Sequence, residues 1–485
     1  MTNPSTSSQP DVTTPPDQQA LDWRDDTAIV LISCYELGHQ PIGVAMPLGF
    51  LERAGFSPRV LDVAVSPFDD LLVTPARMVA ISVPMHTALR LGVRVMERIR
   101  QVNPGCHICF YGLYAALNAD YLLEQGADSC LGGEYEAPLV SLVEALESGL
   151  SADDIDLLPG VIRRDHTATP FLERLEFAVP SRGDLPPLTE YAQLIHDDDS
   201  RTAGYTEASR GCLHLCTHCP IPPVYGGRFF VVPTDVVIED IQRQVDAGAT
   251  HITFGDPDFL NGPRHSIEVV REMHERFPDL TFDFTAKIEH LLTRGDDLAE
   301  FGQLGCLFII SAVESLSPTV LKILDKQHTP DDVTAALKRC RQADITLRPT
   351  WVAFTPWTTR DDYLEVLDFI ETNDLIDHVD PVQFSIRLLI PPGSWLAEHP
   401  ATLPYRGRLD ESALSWKWVH PDGRMDALQR EVARLVELDA EDEIDPGTTF
   451  VRIRELAHGR SPAHAQSPLA PDRRRAPRLS ESWFC

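Results

Sequence analysis

The chain has 485 residues, of which 43% are hydrophobic and 24% charged, so it is long enough for two or three domains with ordinary cores. Its formal net charge of −31 opposes binding to phosphate backbones and anionic lipids, which predicts neither a nucleic acid nor a membrane as partner. Apolar runs are too short for a membrane span and no signal segment opens the chain, which predicts a soluble, cytoplasmic protein.

The first 150 residues divide into a polar leader and a region of alternating strands and helices. Residues 1–26 are rich in Ser, Thr, Pro, Gln and Asp, which predicts a disordered leader. Residues 27–150 predict a flavodoxin-like or Rossmann-like doubly wound parallel sheet, whose ligands bind beyond the carboxyl ends of the strands. The predicted strands are Ala28–Cys34, Arg59–Val65, Met78–Val83, His107–Tyr111 and Ser129–Leu131. The predicted helices are Val44–Ala54, Ala88–Gln101, Ala115–Gln125 and Glu136–Glu147.

A second α/β domain follows, between two less regular regions. Residues 151–200 lack steady periodicity and are predicted to connect the domains. Residues 201–400 contain six strand candidates separated by helical sequence, which predicts an open, partial (β/α)6 barrel. These strands are Tyr205–Ser209, His251–Phe254, Thr281–Ala286, Leu307–Val313, Thr346–Phe354 and Gln383–Leu389. Residues 401–485 are predicted to form an accessory region with helix near 424–442, a mobile segment at 457–479 and a tail ending in cysteine.

Three cysteines stand just after the first predicted strand of the second domain. Cys212, Cys216 and Cys219 have C-x3-C-x2-C spacing, and thiolates in one tight loop can hold an iron–sulfur cluster. Three ligands for four irons leave one iron open to a small chelating molecule. The alternatives are a zinc knuckle or unrelated thiols, but zinc normally takes four protein ligands and no second C-x-x-C pair follows nearby.

This motif resembles the radical SAM superfamily, in which the open iron binds the amino and carboxylate groups of S-adenosylmethionine (SAM). His218 stands before the last cysteine, where that family usually carries an aromatic ring. The resemblance implies an enzyme with a 4Fe-4S cluster on Cys212, Cys216 and Cys219. It also implies a small-molecule substrate and an electron donor of the flavodoxin or ferredoxin type.

Other positions of the second domain match that family one by one. Gly255-Asp-Pro-Asp258 resembles the turn that contacts the amino group of SAM, which implies a cofactor-binding role for Gly255, Asp256 and Asp258. The alternative is a turn with a helix cap. Glu314 and Ser315 follow the fourth strand, where related enzymes have a Glu-Ser pair whose carboxylate can accept hydrogen bonds from the ribose. Here the alternative is again a helix cap.

Three cationic residues near the predicted barrel mouth are candidates for binding anions. Lys287 ends the third strand and could hold a carboxylate or phosphate, unless it is a surface lysine paired with Glu289. Arg387 in the sixth strand could do the same for SAM or substrate. Arg228 closes the cysteine loop and could screen the negative charge of the cluster.

The N-terminal domain resembles the cobalamin-binding domain that precedes the core in many radical SAM enzymes. Its closing Gly132-Gly-Glu-Tyr-Glu136 is similar to a glycine–glutamate turn common there. However, Glu36-Leu-Gly-His39 departs from the D-x-H-x-x-G pattern of cobalamin proteins with a histidine ligand. His39 is therefore either a ligand or a loop histidine with a local hydrogen bond. Cobalamin is a candidate cofactor, bound without histidine ligation or lost.

The chain ends in Ser480-Glu-Ser-Trp-Phe-Cys485, which resembles the CUAEP/CCAEP-tail radical SAM family together with core strings such as Gly-Asp-Pro-Asp-Phe. In that family Trp-aromatic-Cys is followed by a second cysteine or by selenocysteine. The resemblance implies a catalytic Cys485, and we hypothesise that the sequence was cut at a UGA codon for selenocysteine, which would make the protein a selenoprotein. The alternative is a natural terminus with an incidental cysteine. A thiol–selenol pair suits soft atoms such as arsenic.

Three functions remain open at this stage. The first is reductive cleavage of SAM that drives radical or group-transfer chemistry, with arsenic or another soft atom as a candidate acceptor. The second is a cobalamin-dependent radical SAM methyltransferase. The third is a non-catalytic metal-cluster module that senses redox state.

Overall fold

A six-stranded sheet forms the N-terminal domain of the structure, a computed structural model that describes residues 22–196, 199–293, 295–462, 465–470 and 472–481. The strands are β1 (Ile29–Ser33), β2 (Arg59–Asp62), β3 (Met78–Ser82), β4 (His107–Tyr111), β5 (Ser129–Leu131) and β6 (Val161–Ile162). The helices are α1 (Ile42–Arg53), α2 (Asp70–Val73), α3 (His86–Val102), α4 (Leu113–Leu117), α5 (Ala119–Gln125), α6 (Glu136–Glu147) and α7 (Ala152–Ile155).

The strand order of this sheet is β2-β1-β3-β4-β5-β6, and β1 to β5 run parallel. Helices α1 and α6 pack on one face while α3 and α5 pack on the other, because the strands carry buried apolar residues on both sides. This confirms the predicted doubly wound parallel sheet. Its ligand-binding edge, at the carboxyl ends of β1 and β3 to β5, faces the second domain.

The second domain and the C-terminal region share a larger sheet. Their strands are β7 (Gln193–His196), β8 (Asp199–Thr206), β9 (Ser209–Gly211), β10 (Phe229–Val231), β11 (His251–Phe254), β12 (Thr281–Thr285), β13 (Cys306–Glu314), β14 (Thr346–Trp351), β15 (Arg406–Asp410), β16 (Ser415–Trp418) and β17 (Arg478–Leu479). Their helices are α8 (Ile221–Tyr225), α9 (Thr234–Asp246), α10 (Pro263–Arg276), α11 (Ile288–Thr293), α12 (Gly295–Gln303), α13 (Pro318–Ile323), α14 (Pro330–Gln342), α15 (Arg360–Thr372), α16 (Gly423–Glu441) and α17 (Pro446–Ala457). Short 3-10 helices are Leu188–Glu190, Phe259–Asn261, Ile376–His378, Pro381–Ser385 and Trp395–Glu398.

The order of the seven-stranded sheet is β14-β13-β12-β11-β8-β7-β17. Strands β8 and β11 to β14 are parallel and curl into the predicted partial barrel, with the helices outside. The hairpin β9–β10 brackets the cysteine loop. The carboxyl ends of the parallel strands form one mouth, where the loops carrying the predicted site residues meet.

The predicted sixth barrel strand, Gln383–Leu389, is wrong as a strand. Its first residues form a 3-10 helix, and only one parallel bridge joins Phe354 to Arg387. The Gln383 side chain accepts a hydrogen bond from the Trp351 backbone N–H at 2.9 Å, so that a side chain replaces the next strand at the end of β14. The sequence pattern of a strand does not reveal that a side chain takes this hydrogen bond, because the pattern indicates the spacing of apolar residues and not their hydrogen-bond partners.

The C-terminal segment crosses back to the barrel. Arg478 and Leu479 pair antiparallel with β7, and Leu479 packs against Phe308 and Ile310. The sequence predicted a mobile segment up to residue 479, whereas the end of that segment is a strand with a buried leucine. Burial of the Leu479 side chain stabilises this short strand, although few of the neighbouring residues in the sequence are apolar.

Both ends of the chain extend beyond the described residues. Of the predicted leader, residues 1–21 lie outside them, while Arg24 pairs with Glu147 of α6 at 2.8 Å. Cys485 lies outside them as well. Within the described part, no helix combines the length and apolar character needed to cross a membrane.

Candidate active site

The cysteine loop lies at the barrel mouth between β9 and α8. Cys212 and Cys216 are buried, Cys219 is half-buried, and all three thiols are free. Burial raises the pKa of Cys212 to about 11 and that of Cys219 to about 12. Three free thiols that sense one another's charge in one short loop fit a metal cluster, since a bound metal deprotonates its thiol ligands.

Neighbouring elements hold this loop from two sides. The Leu213 backbone N–H donates to Asn261 Oδ1 at 3.3 Å. On the other side, the Thr217 backbone N–H donates to the Leu324 carbonyl at 3.1 Å and its hydroxyl donates to the Ile323 carbonyl at 2.8 Å. The loop is therefore fixed to the segments that follow β11 and α13.

The Gly255-Asp-Pro-Asp258 turn packs against the segment that leads into the cysteine loop. A Cβ at Gly255 would lie 2.0 Å from the Tyr205 hydroxyl, so only glycine fits there. The Asp256 carboxylate accepts hydrogen bonds from Ala208 N–H (2.9 Å) and from Ser209 Oγ (2.6 Å), and burial raises its pKa to about 7. Asp256 thus fixes the β8–β9 turn that leads into the cysteines.

Asp258 joins two histidines that sequence reasoning missed. Its Oδ2 lies 3.3 Å from His214 Nε2 and 2.8 Å from His290 Nδ1. Burial raises the pKa of Asp258, but these two rings lower it by more. Two histidines and a carboxylate could also hold a metal ion. However, Lys287 Nζ lies 3.2 Å from His214 Nδ1, and an ammonium there opposes a second cation.

Glu314 sits at the end of β13 in the left-handed region, with φ of +68°. Its Oε1 lies 3.2 Å from His218 Nε2 and 3.4 Å from Lys326 Nζ. Burial alone would raise its pKa, but Lys326 and His218 lower it to about 2. Glu314 is therefore a permanently charged acceptor at the mouth, whereas Ser315 Oγ accepts from the Ser317 backbone N–H at the start of α13.

The other two predicted cationic residues, Arg387 and Arg228, have different surroundings. Arg387 donates to Asp426 Oδ1 and to the Trp418 carbonyl, both at 2.6 Å, and stacks 3.4 Å from the centre of the Trp418 ring. It is thereby occupied by the C-terminal region, and its predicted contact with SAM finds no support in this geometry. Arg228 is exposed at the surface.

Lys326 and His328 are two further residues of the barrel mouth that sequence reasoning missed. Both are buried in the turn after α13. Burial lowers the pKa of Lys326, but Glu314 and then the nearby Cys216 and Cys219 raise it by more. In the sequence, the only indication of their role was a lysine and a histidine at alternate positions after the fourth barrel strand. Their inward direction is visible only in the fold.

A buried ionic cluster joins the N-terminal domain to the cysteine loop. Arg210, two residues before Cys212, lies 2.6 Å from Glu136 Oε1 and donates to Glu207 Oε2 at 3.0 Å. Glu134 accepts a hydrogen bond from the Tyr225 hydroxyl at 3.0 Å. The Gly132–Glu136 turn thus contacts both ends of the cysteine loop.

The first loop of the N-terminal sheet also reaches the barrel. Glu36 accepts hydrogen bonds from the first backbone N–H groups of α1, and the His39 ring stacks on the Tyr205 ring with centroids 4.3 Å apart. Beside this loop lies a cavity of about 680 Å³ at the carboxyl ends of β1 and β2. Its lining includes Val63, Leu91 and Tyr191.

These features together define a class of protein: an α/β enzyme with a three-thiolate loop at the mouth of a partial barrel and a Rossmann-like domain facing it. Residues 206–370 match the model of the Radical SAM superfamily. The chain therefore carries a radical SAM domain and is an enzyme that uses a 4Fe-4S cluster and SAM.

Two curated relatives match a longer part of the chain than the radical SAM domain alone. The uncharacterized methyltransferase PH0819 of Pyrococcus horikoshii is 22% identical over 71% of this chain and 72% of its own length. The hopanoid C-3 methylase of Methylococcus capsulatus is 24% identical over 66% of this chain, but the match spans only 62% of that protein.

A solved structure shares the two-domain fold. The cobalamin-dependent S-adenosylmethionine radical enzyme OxsB, solved with aqua-cobalamin bound, aligns with a TM-score of 0.68 at 15% identity. The alignment covers 90% of this chain and 73% of that one. At this identity the likeness concerns the fold alone.

Proposed function

We propose that the protein is a cobalamin-dependent radical SAM methyltransferase that acts on a small-molecule substrate. The observation that carries this proposal is the packing of the sheet's ligand edge onto the cysteine loop through Arg210 and Tyr225. A domain that merely preceded the core would not need buried contacts at both ends of that loop. The two curated relatives, a methyltransferase and a methylase, point to the same reaction class.

The N-terminal domain has features that fit a corrinoid. The cavity at the carboxyl ends of β1 and β2 lies where sheets of this class bind ligands, and its lining is partly apolar. His39 is stacked on Tyr205 and buried, so cobalamin here would be held without ligation by this histidine. When bound, cobalamin supplies a metal centre that accepts and donates a methyl group.

At the mouth, Cys212, Cys216 and Cys219 would hold the cluster, which supplies the electron for reductive cleavage of SAM. Glu314 would accept hydrogen bonds from SAM as a fixed anion. Asp258 would orient the loop through His214, while Gly255 and Asp256 shape the turn below it. We further propose a flavodoxin- or ferredoxin-type protein as the electron donor.

The products of SAM distinguish the candidate reactions, because each breaks a different carbon–sulfur bond. Anaerobic, cluster-loaded protein is incubated with SAM and dithionite, with and without added hydroxocobalamin. A methyltransferase of the proposed kind releases S-adenosylhomocysteine only when cobalamin is bound, and also 5′-deoxyadenosine. Release of methylthioadenosine instead would indicate transfer of the aminocarboxypropyl group, and no product would indicate a redox module.

The closer resemblance, to the CUAEP/CCAEP-tail family, stays a prediction, as do the selenocysteine hypothesis and the catalytic role of Cys485. Transfer of a SAM-derived group to arsenic rests on that tail, and no contact among the described residues favours it. Reading the codons after position 485 tests it directly. A stop codon other than UGA, or no Ala-Glu-Pro codons beyond, would remove the hypothesis.

A further inference from the structure

The turn between α13 and α14 has a backbone that directs two polar side chains inward. Asp325 and Gln327 both lie in the left-handed region, with φ of +53° and +58°. Between and after them, Lys326 and His328 are only 3% and 6% exposed. Two non-glycine residues in this region cost free energy, and such strain tends to persist where function requires a particular side-chain direction.

His328 is buried without the partners that a buried imidazole normally has. Neither ring nitrogen makes a hydrogen bond of normal geometry within the described part of the chain. Burial, followed by the charges of Lys326 and Lys287, lowers the pKa of His328 to about 4, so the ring is neutral near pH 7. A neutral imidazole offers one donor and one acceptor, and leaving both unused in the interior is unfavourable.

The surroundings of His328 are those of the cluster mouth. Lys287, Lys326 and Glu314 are the charged groups that act on it, and each follows a different stretch of the barrel. Lys326 in turn feels the charges of Cys216 and Cys219. A molecule that binds the open iron of a cluster held by these cysteines therefore comes within reach of this turn.

We infer that His328 is a SAM-binding residue, whose ring N–H donates a hydrogen bond to an acceptor oxygen of SAM beside the Lys326–Glu314 ion pair. SAM supplies the missing partner, and the strained turn holds the ring in place before SAM arrives. The inference rests on the radical SAM domain and not on cobalamin.

A variant pair separates binding from folding. His328→Leu removes two unsatisfied nitrogens from the interior, so the SAM-free protein should unfold at the same or a higher temperature. Its SAM dissociation constant should rise about tenfold, the usual effect of losing a hydrogen bond to a charged or strongly polar group. Binding is measured by equilibrium dialysis of unreduced, cluster-loaded, cobalamin-free protein.

His420 provides the matched control, because it is similarly buried but both of its ring nitrogens have partners: Nε2 lies 3.0 Å from the Thr358 carbonyl, and Nδ1 accepts a hydrogen bond from the Asp422 backbone N–H at 2.9 Å. His420→Leu should lower the unfolding temperature and leave SAM affinity unchanged. His328→Gln, which restores a donor, should recover part of the affinity. Unchanged SAM affinity in His328→Leu, or destabilisation as large as in His420→Leu, overturns the inference. Since cobalamin is absent from this assay, its outcome is independent of the proposed methyl transfer.

Discussion

Two buried groups of charged residues flank the cysteine loop, and their carboxyl groups differ in protonation: one is ionised, and the other retains a proton near neutral pH. At the barrel mouth, Glu314 faces both Lys326 and His218, and its pKa falls to about 2. At the domain interface, Glu134, Glu136 and Glu207 share the cation Arg210. There burial, reinforced by Glu136, raises the pKa of Glu134 to about 7 despite the attraction of Arg210.

The comparison shows that depth of burial does not set the charge of a carboxylate. Both clusters are almost fully buried, so the difference arises from the number of cations and donors around each acid. The mouth keeps a fixed anion, as a binding site for hydroxyl or amino groups requires. The interface instead keeps a proton near neutral pH, because a neutral carboxyl group avoids the free-energy cost of burying another negative charge.

The largest effect is expected from the proposed cluster ligands, which lie between the two regions. Cys216→Ala should abolish iron binding beyond background and all cleavage of SAM, because the loop has no fourth cysteine that could replace it. Iron content and 5′-deoxyadenosine are the measurements. Cys340→Ala, in the buried face of α14, should retain both. Full turnover by the Cys216 variant would contradict the assignment.

Removal of the interface cation is the next largest perturbation. Arg210→Met removes the cation that three carboxylates share, and unfolding free energy should fall by about 3–5 kcal/mol, as for other broken buried pairs. Chemical denaturation measures it. The control Arg276→Met removes an exposed i,i+4 pair with Glu272, so it should cost less than about 0.5 kcal/mol. Equal effects of the two variants would mean that the interface cluster is not energetically distinct.

Removal of the mouth cation should act on binding more than on folding. In Lys326→Met, Glu314 loses its ammonium partner and becomes less reliably charged. The SAM dissociation constant should therefore rise about 10- to 100-fold, corresponding to about 1.5–3 kcal/mol for a charged hydrogen bond. Equilibrium dialysis tests this, and Lys322→Met, exposed on α13, should bind SAM normally. If the two variants bind alike, the mouth cluster does not serve SAM.

The smallest effect concerns pH and separates the two clusters most directly. The pKa of Glu134 rises from its ordinary 4.5 to about 7 in the folded protein. Between these values the folded state holds more protons than the unfolded state, so unfolding free energy should decrease as pH rises. Glu134→Gln should make this decrease shallower. Arg210, Glu136, Glu207 and Tyr225 face the group and remain in place.

Glu239→Gln, an exposed position, is the control for this slope. Glu36, with a pKa of about 8, and Asp256, with about 7, contribute in the same direction, so the slope should diminish without disappearing. A Glu134 variant with the same pH dependence as the control would show that this acid does not hold the extra proton.

The sequence by itself determined the features that depend on local spacing. Strands His107–Tyr111 and His251–Phe254 and helix Glu136–Glu147 have the predicted bounds, because buried apolar runs and periodic faces identify them without reference to the rest of the chain. The C-x3-C-x2-C spacing identified the superfamily for the same reason, since a cluster constrains only a few consecutive residues.

The tertiary structure alone decided which polar residues act together. Arg210 meets Glu136, Lys326 meets Glu314, and Arg387 turns to Asp426, away from the cysteine loop. The strength of such pairs depends on the water removed from both partners and on the directions of their side chains. Both quantities arise only when distant segments pack together, so they leave no periodic trace in the sequence.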